Sequence, residues 1–269
     1  MTSQAERTQG QEMLSERDIK QAVLDRLSLK AIAEDAVIIS EMVIGKADRR
    51  ADLVVANGHL QAVEIKSDLD SLRRLEGQLT VYLSRFDKLT LVVSRKFVEQ
   101  ALELSPDRVA VWEATKSRSG ATRLVIRRPG RIEPVKDKAL LCDFLLKGEL
   151  VRIARLTDAS PKLADLPREA LIARIATLPL TVVRQHVLTN VKDRYRETFS
   201  LATSAAEADA PSIDDLSRIA IKRRAAASSV DASKRTQHYE RRQLNLRRFF
   251  PDGDIPEGIP THVFVPSAH

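Results

Sequence analysis

The sequence predicts a mixed α/β protein in which helices cover a sheet and a helical region follows. Three observations carry this. Two segments near the start place apolar residues at helical spacing, several short runs rich in β-branched residues lie between and after them, and an Asn57-Gly58 pair joins two of those runs in the manner of a hairpin. Read in order, the elements run α-β-β-β-α-β, then a helix and two more strands, over residues 14–130.

The first helix is predicted over "LSERDIKQAVLDRLSLK". Ser15 suits its N-cap, with Asp18 three residues on as in a capping box, and Glu16, Ile19, Val23 and Leu27 share one face. "AVIISEMVIG" (36–45), "ADLVVA" (51–56) and "HLQAVEIK" (59–66) read as strands. "SDLDSLRRLEGQLTVYLSRF" (67–86) reads as a helix with Leu72, Leu75, Leu79, Tyr82, Leu83 and Phe86 inward. "LTLVVS" (89–94) is a short buried strand, "KFVEQALEL" a helix, and "RVAVWEA" and "TRLVIRR" are strands. "RPGRIEPVKDK" reads as a linker, 139–202 as a helical domain, and 203–269 as a flexible basic tail containing "KRTQHYERRQLNLRRFF"; residues 1–13 are polar and expected to be disordered.

Composition narrows the function. The 269 residues hold 44 Lys and Arg against 37 Asp and Glu, a net +7 that favours a polyanionic partner. Aromatics are 4%, which argues against a base-stacking platform for single strands. One cysteine, Cys142, excludes an intramolecular disulfide and a Cys-based zinc site, and the five histidines lack metal-ligand spacing. No apolar leader or membrane-length apolar run occurs, so the expected location is the cytoplasm. No Ser/His/Asp set appears, and "ATKSRSG" lacks the order of a phosphate-binding loop.

The charged residues inside the hairpin strands carry the chemistry. Asp52, Glu64 and Lys66 interrupt otherwise apolar runs. A three-residue loop, Ala56-Asn57-Gly58 with Gly58 left-handed, pairs Val55 with His59 and Asp52 with Ala62. In that register Leu53, Val55, Val63 and Ile65 share one face and Asp52, Glu64 and Lys66 the other, alongside Val54 and Ala62. Two neighbouring carboxylates repel unless a cation lies between them, and an all-oxygen ligand set suits Mg²⁺ or Mn²⁺. With a lysine beside them, this is what metal-assisted phosphodiester hydrolysis requires. The competing reading is a salt-bridged patch on a solvent-facing sheet.

Asp52 followed by Glu64-Ile65-Lys66 across a hairpin resembles the PD-(D/E)XK nuclease superfamily, the restriction-endonuclease-like fold, whose core order is the one read above. Ala51 stands where the motif's name puts Pro. The resemblance implies Asp52 and Glu64 as metal ligands, with the Ile65 carbonyl as a further ligand, and Lys66 as the group that orients water and offsets transition-state charge. It also implies Glu16 as a second-metal or water-positioning residue and Gln78 as a residue that positions Lys66 or a phosphate; the plainer readings are a helix-dipole partner for Glu16 and a tolerated polar residue beside Gly77 for Gln78. The expected activity is a Mg²⁺-dependent deoxyribonuclease, with RNA left open as substrate and a homodimer as an expected form. The alternative is a catalytically weak or inactive nucleic-acid-binding adaptor on the same fold. A DNA-reading helix within "VVRQHVLTNVKDRYRETF" is the lesser reading of what is otherwise a solvated basic face.

Overall fold

A computed structural model describes residues 13–33, 35–44, 49–204, 212–217, 239–243 and 262–266. The expected disordered start up to residue 12 and most of the basic tail lie outside the described residues, as does Asp48. α1 (Glu16–Ala33) opens as its sequence dictates: the Asp18 N–H donates to Ser15 Oγ at 3.2 Å, and the Ser15 N–H donates to Asp18 Oδ2 at 3.4 Å. β1 (Val37–Ile44), β2 (Arg49–Ala56) and β3 (Leu60–Lys66) form an antiparallel meander. α2 (Leu75–Arg85) then crosses to β4 (Lys88–Ser94), and a 3-10 turn over Arg95–Phe97 with α3 (Val98–Leu104) crosses to β5 (Ala110–Lys116). Both crossovers give parallel pairs, β3 with β4 and β4 with β5, as helical connections do. β6 (Thr122–Arg128) returns antiparallel, and the sheet order is β1-β2-β3-β4-β5-β6.

Both faces of the central strands are buried. Leu53, Val55, Val63 and Ile65 line one face and Val54 and Ala62 the other, each under 10% exposed. This removes the solvent-facing patch as an account of the hairpin charges. α2 begins later than its apolar stripe suggests. The carboxylate of Asp70 takes both the N–H and the hydroxyl of Ser67, at 2.8 and 2.6 Å, and this local turn competes with helix through 67–74.

The helical region consists of α4 (Lys138–Cys142), α5 (Lys147–Ala154), α6 (Arg168–Ile175) and the long α7 (Leu180–Ser204), with a 3-10 segment at Pro161–Asp165. Its buried Leu141, Leu150, Leu171, Val183, Val187 and Val191 belong to the same continuous core as the sheet. The extended 129–137 segment is bound to that core through Asp87, which follows α2. Asp87 accepts the Leu60 N–H (2.9 Å), the Val135 N–H (2.8 Å) and both guanidinium ends of Arg184 on α7 (3.0 and 2.7 Å), and Arg184 also donates to the Val135 carbonyl. Residues 212–217 lie against α1 and β1. Ile213 and Leu216 are buried, the Ile213 N–H donates to Gln21 Oε1, Arg17 pairs with Asp214, and Ser40 and Ser217 hydroxyls are 3.1 Å apart. Within the remaining tail, β7 (Tyr239–Gln243) pairs antiparallel with β8 (His262–Pro266). Among the described residues no helix is long and apolar enough to cross a membrane.

Candidate active site

The hairpin closes through Asn57, Gly58 and His59, with Gly58 at φ 95° and the Asn57 N–H bonded to the His59 carbonyl. Ala56 pairs with Leu60, Val54 with Ala62 and Leu53 with Val63. The expected partners, His59 for Val55 and Ala62 for Asp52, are therefore corrected by two residues. A two-residue slip leaves every side chain on the same face, so alternation cannot detect it. Its chemical effect is large: continued one rung beyond Leu53 and Val63, the register sets Asp52 opposite Glu64.

Each carboxylate is held differently. Asp52 Oδ2 accepts the Ile65 N–H at 2.7 Å, which docks Asp52 onto β3. Glu64 Oε1 accepts from Lys66 Nζ at 2.7 Å and, in a shorter contact, from Gln78 Nε2 on α2. Among the described residues, Glu64 Oε2 is buried and has no hydrogen-bond partner, and the same is true of Gln78 Oε1. Glu64 and Lys66 side chains are only 4% and 7% exposed. Gln78 thus meets Glu64 directly, whereas sequence reasoning aimed it at Lys66 or a phosphate. One α2 turn on, the Tyr82 hydroxyl donates to the Arg50 carbonyl at 2.9 Å. Burial, and then the Glu64 charge, push its phenol far above the ordinary range, so Tyr82 keeps its proton.

The other half of the site comes from α1 and β1. Lys20 Nζ donates to Glu16 Oε1 at 2.9 Å and, in a shorter contact, to Glu41 Oε1; Arg50 Nε sits 2.5 Å from Glu41 Oε2. Glu16, Glu41 and Asp52 each offer a carboxylate oxygen, all within 4.8 Å of one another. Glu16 is about half exposed, while Lys20 is 8% exposed. Burial pushes the Lys20 ammonium down, but Glu41, Asp52 and Glu16 outweigh it, and its pKa lies above the ordinary value. Glu41 holds a left-handed backbone (φ 57°) in mid-strand, a conformation costing roughly 1–3 kcal/mol at a residue with a Cβ.

Asp52 joins the two halves. Burial first, then the Glu64 charge, drive its pKa well above the carboxylate range, against the pull of Lys20 and the Ile65 N–H; Glu16 adds to the rise. A carboxyl so placed ionises readily only when further positive charge arrives. The donor set is all oxygen and one buried carboxylate oxygen is unpartnered, which fits a hard divalent cation. The residues predicted from sequence, Asp52, Glu64, Lys66, Gln78 and Glu16, gather at this one place, with Glu16 in the Lys20 half rather than beside Glu64. Sequence reasoning missed Glu41 and Lys20. Glu41 interrupts the apolar run "AVIISEMVIG" as Asp52 and Glu64 interrupt theirs, and Lys20 lies one turn after Glu16, so both signals were present.

The profile of the family described as Bacteriophage P4 protein cII matches residues 9–220. The chain is 38% identical over 190 residues to protein cII of Enterobacteria phage P4, covering 70% of each sequence. Among solved structures, a protein of unknown function from Silicibacter pomeroyi overlaps 65% of this chain and 90% of its own, at 18% identity and a TM-score of 0.29. At that score the overlap bears on neither fold nor function.

Proposed function

The chain belongs to the Bacteriophage P4 protein cII family, and for this member we propose a divalent-metal-dependent nuclease that hydrolyses phosphodiester bonds of DNA. The observation that carries the reading is the buried, unpartnered Oε2 of Glu64 facing a site in which Asp52 is held short of its ordinary acidity. The resemblance of Asp52 and Glu64-Ile65-Lys66, on an α-β-β-β-α-β core, to the PD-(D/E)XK nucleases supports it. Asp52 and Glu64 would hold Mg²⁺ or Mn²⁺, with the Ile65 carbonyl as a further ligand. When bound, the ion would supply Lewis acidity at the phosphate. Lys66, a fixed cation against Glu64, offsets charge that builds on the phosphate oxygens and orients the attacking water. Gln78 and the Ile65 N–H hold the two carboxylates in place before substrate arrives. The net positive charge favours the polyanion, and RNA is the competing substrate.

One observation favours a second reading. Lys66 already neutralises Glu64, and Lys20 already bridges Glu16 and Glu41, so much of the site is charge-compensated by the chain itself. That suits a nucleic-acid-binding adaptor without useful cleavage. The test is incubation of circular and linear DNA at low salt with Mg²⁺, Mn²⁺ or EDTA, comparing wild type, Glu64→Ala and Lys66→Ala. Metal-dependent cutting lost in both variants is the expected result. Salt-sensitive binding, equal in all three proteins and without cutting in any metal, selects the adaptor.

A further inference from the structure

We infer that Lys20 takes the place of a second divalent cation, so that the site holds one metal ion, between Asp52 and Glu64, and a built-in ammonium between Glu16, Glu41 and Asp52. The inference rests on the metal reading above and says what kind of metal site it is.

Three carboxylates with oxygens within 4.8 Å of one another need positive charge among them. An arrangement of this kind, spread over a helix and two strands, would ordinarily suggest a second ion. Here the charge is already supplied. Lys20 Nζ bonds Glu16 and Glu41 together, and an Asp52 carboxylate oxygen lies within 4.8 Å of theirs. An ammonium has three donors and no acceptor, so it satisfies carboxylates at several corners of a cluster as a small cation does. A dication bound among these three carboxylates would lie against the Lys20 charge, and it would also demand near-octahedral oxygen geometry at short range.

Three features mark Lys20 as built in. Its side chain is 8% exposed, so it is packed in place and does not range over the surface as an ordinary lysine does. Its i,i+4 relation to Glu16 fixes the pair on one face of α1. Glu41, which meets it, holds a left-handed backbone in mid-strand, and Arg50 takes the second Glu41 oxygen. By contrast, the Asp52–Glu64 half contains the unpartnered Glu64 Oε2. The oxygen left open to a cation therefore lies on that side of Asp52. Lys20 acts as a positioning residue: it fixes Glu16 and Glu41 and, through charge, Asp52, so a single ion suffices.

The deciding experiment is Mn²⁺ titration of the full chain, followed by the loss of the free aqua-ion signal in electron paramagnetic resonance. Wild type, Lys20→Met, Lys20→Arg, Glu16→Gln and Glu64→Gln are compared. One Mn²⁺ per chain is expected in wild type, one in Lys20→Arg, one in Glu16→Gln and two in Lys20→Met, with the wild-type ion lost or weakened at least tenfold in Glu64→Gln. Two ions in wild type, or one ion lost in Glu16→Gln, overturns the inference and leaves the metal reading standing. A folded Lys20→Met protein that still binds one ion overturns it as well. If Lys20→Met does not fold, the wild-type and Glu16→Gln stoichiometries decide. No Mn²⁺ bound by wild type removes the metal reading and this inference together.

Discussion

Asp87 predicts how firmly the helical region is bound to the sheet. Its side chain is 2% exposed and accepts four hydrogen bonds, two of them the bidentate fork of an Arg184 that is itself 16% exposed. Asp87→Ala leaves a largely buried guanidinium and two backbone N–H groups without their acceptor. Loss of one partner from a buried pair costs about 3–5 kcal/mol. At about 2–4 °C per kcal/mol for a chain of this size, the melting temperature falls by roughly 6–20 °C. Arg184→Met alone strands the Asp87 charge, and Asp87→Ala with Arg184→Met removes both charges, so the double variant loses less than the sum of the singles. The assay is urea and thermal unfolding of the four proteins. A loss under about 1 kcal/mol in Asp87→Ala, or strict additivity, refutes the reasoning. The acid limb gives a second check. Burial opposes ionisation of Asp87, but Arg184 and the Val135 and Leu60 N–H groups hold its pKa below the ordinary carboxylate value. Its contribution is complete above the unfolded pKa and disappears as pH falls through the lower folded value; Asp87→Asn lacks that share of the acid limb.

The site supports further predictions. In EDTA, Glu64→Gln lowers the Asp52 pKa toward the ordinary range, read by carboxyl NMR titration; an unmoved Asp52 excludes Glu64 as a cause of the rise. Because the folded-state pKa of Asp52 is raised, the metal-free protein loses stability as pH climbs from the ordinary carboxylate range to neutrality, and saturating Mn²⁺ removes this slope; equal slopes with and without metal count against a cation at Asp52. Tyr82→Phe keeps the buried ring but drops the bond to the Arg50 carbonyl, costing about 0.5–1.5 kcal/mol in denaturant unfolding. Gly58→Ala meets open space at φ 95° and costs only its backbone strain, about 1–2 kcal/mol. Gly130→Ala adds to such strain a Cβ 2.5 Å from the Ala110 nitrogen, so it must be the worse of the two by thermal melting.

The parts of the molecule readable from sequence are those governed by local pattern. Runs of β-branched residues and the Asn57-Gly58 pair identified the strands, and the Ser15–Asp18 pair marked where α1 starts. The charges of Asp52 and Glu64 within apolar runs located the site. Pattern fails where two arrangements give the same pattern. The hairpin slip by two residues is invisible to alternation, yet it decides whether Asp52 lies opposite Ala62 or Glu64. The late start of α2 depended on a single side chain, Asp70, turning back to Ser67. Lys20 and Glu41 become partners only once α1 is laid on the sheet, 21 residues separating them in the chain. The docking of 212–217 depends on Gln21 and Arg17, 192 and 197 positions away from their partners in the chain, and no local pattern reveals such a contact.

That last contact determines how the homologous unit can be divided. The family match runs from residue 9 to residue 220, and described segments toward its two ends meet: Asp214 and Ile213 are bound to Arg17 and Gln21, in the same turn and a half of α1 that carries Glu16 and Lys20. A polypeptide cut back to 14–130 would therefore bare the outer side of α1 and strand Asp87 without Arg184, even though every predicted site residue remains. The closeness of Arg17 to Asp214 makes the unit a candidate for circular permutation, with the segments flanking this contact joined by a linker and new termini opened at Gly120, whose turn between β5 and β6 has open space around it. Such a permutant would keep the acidic cluster intact while transferring the chain break from α1 to the far edge of the sheet.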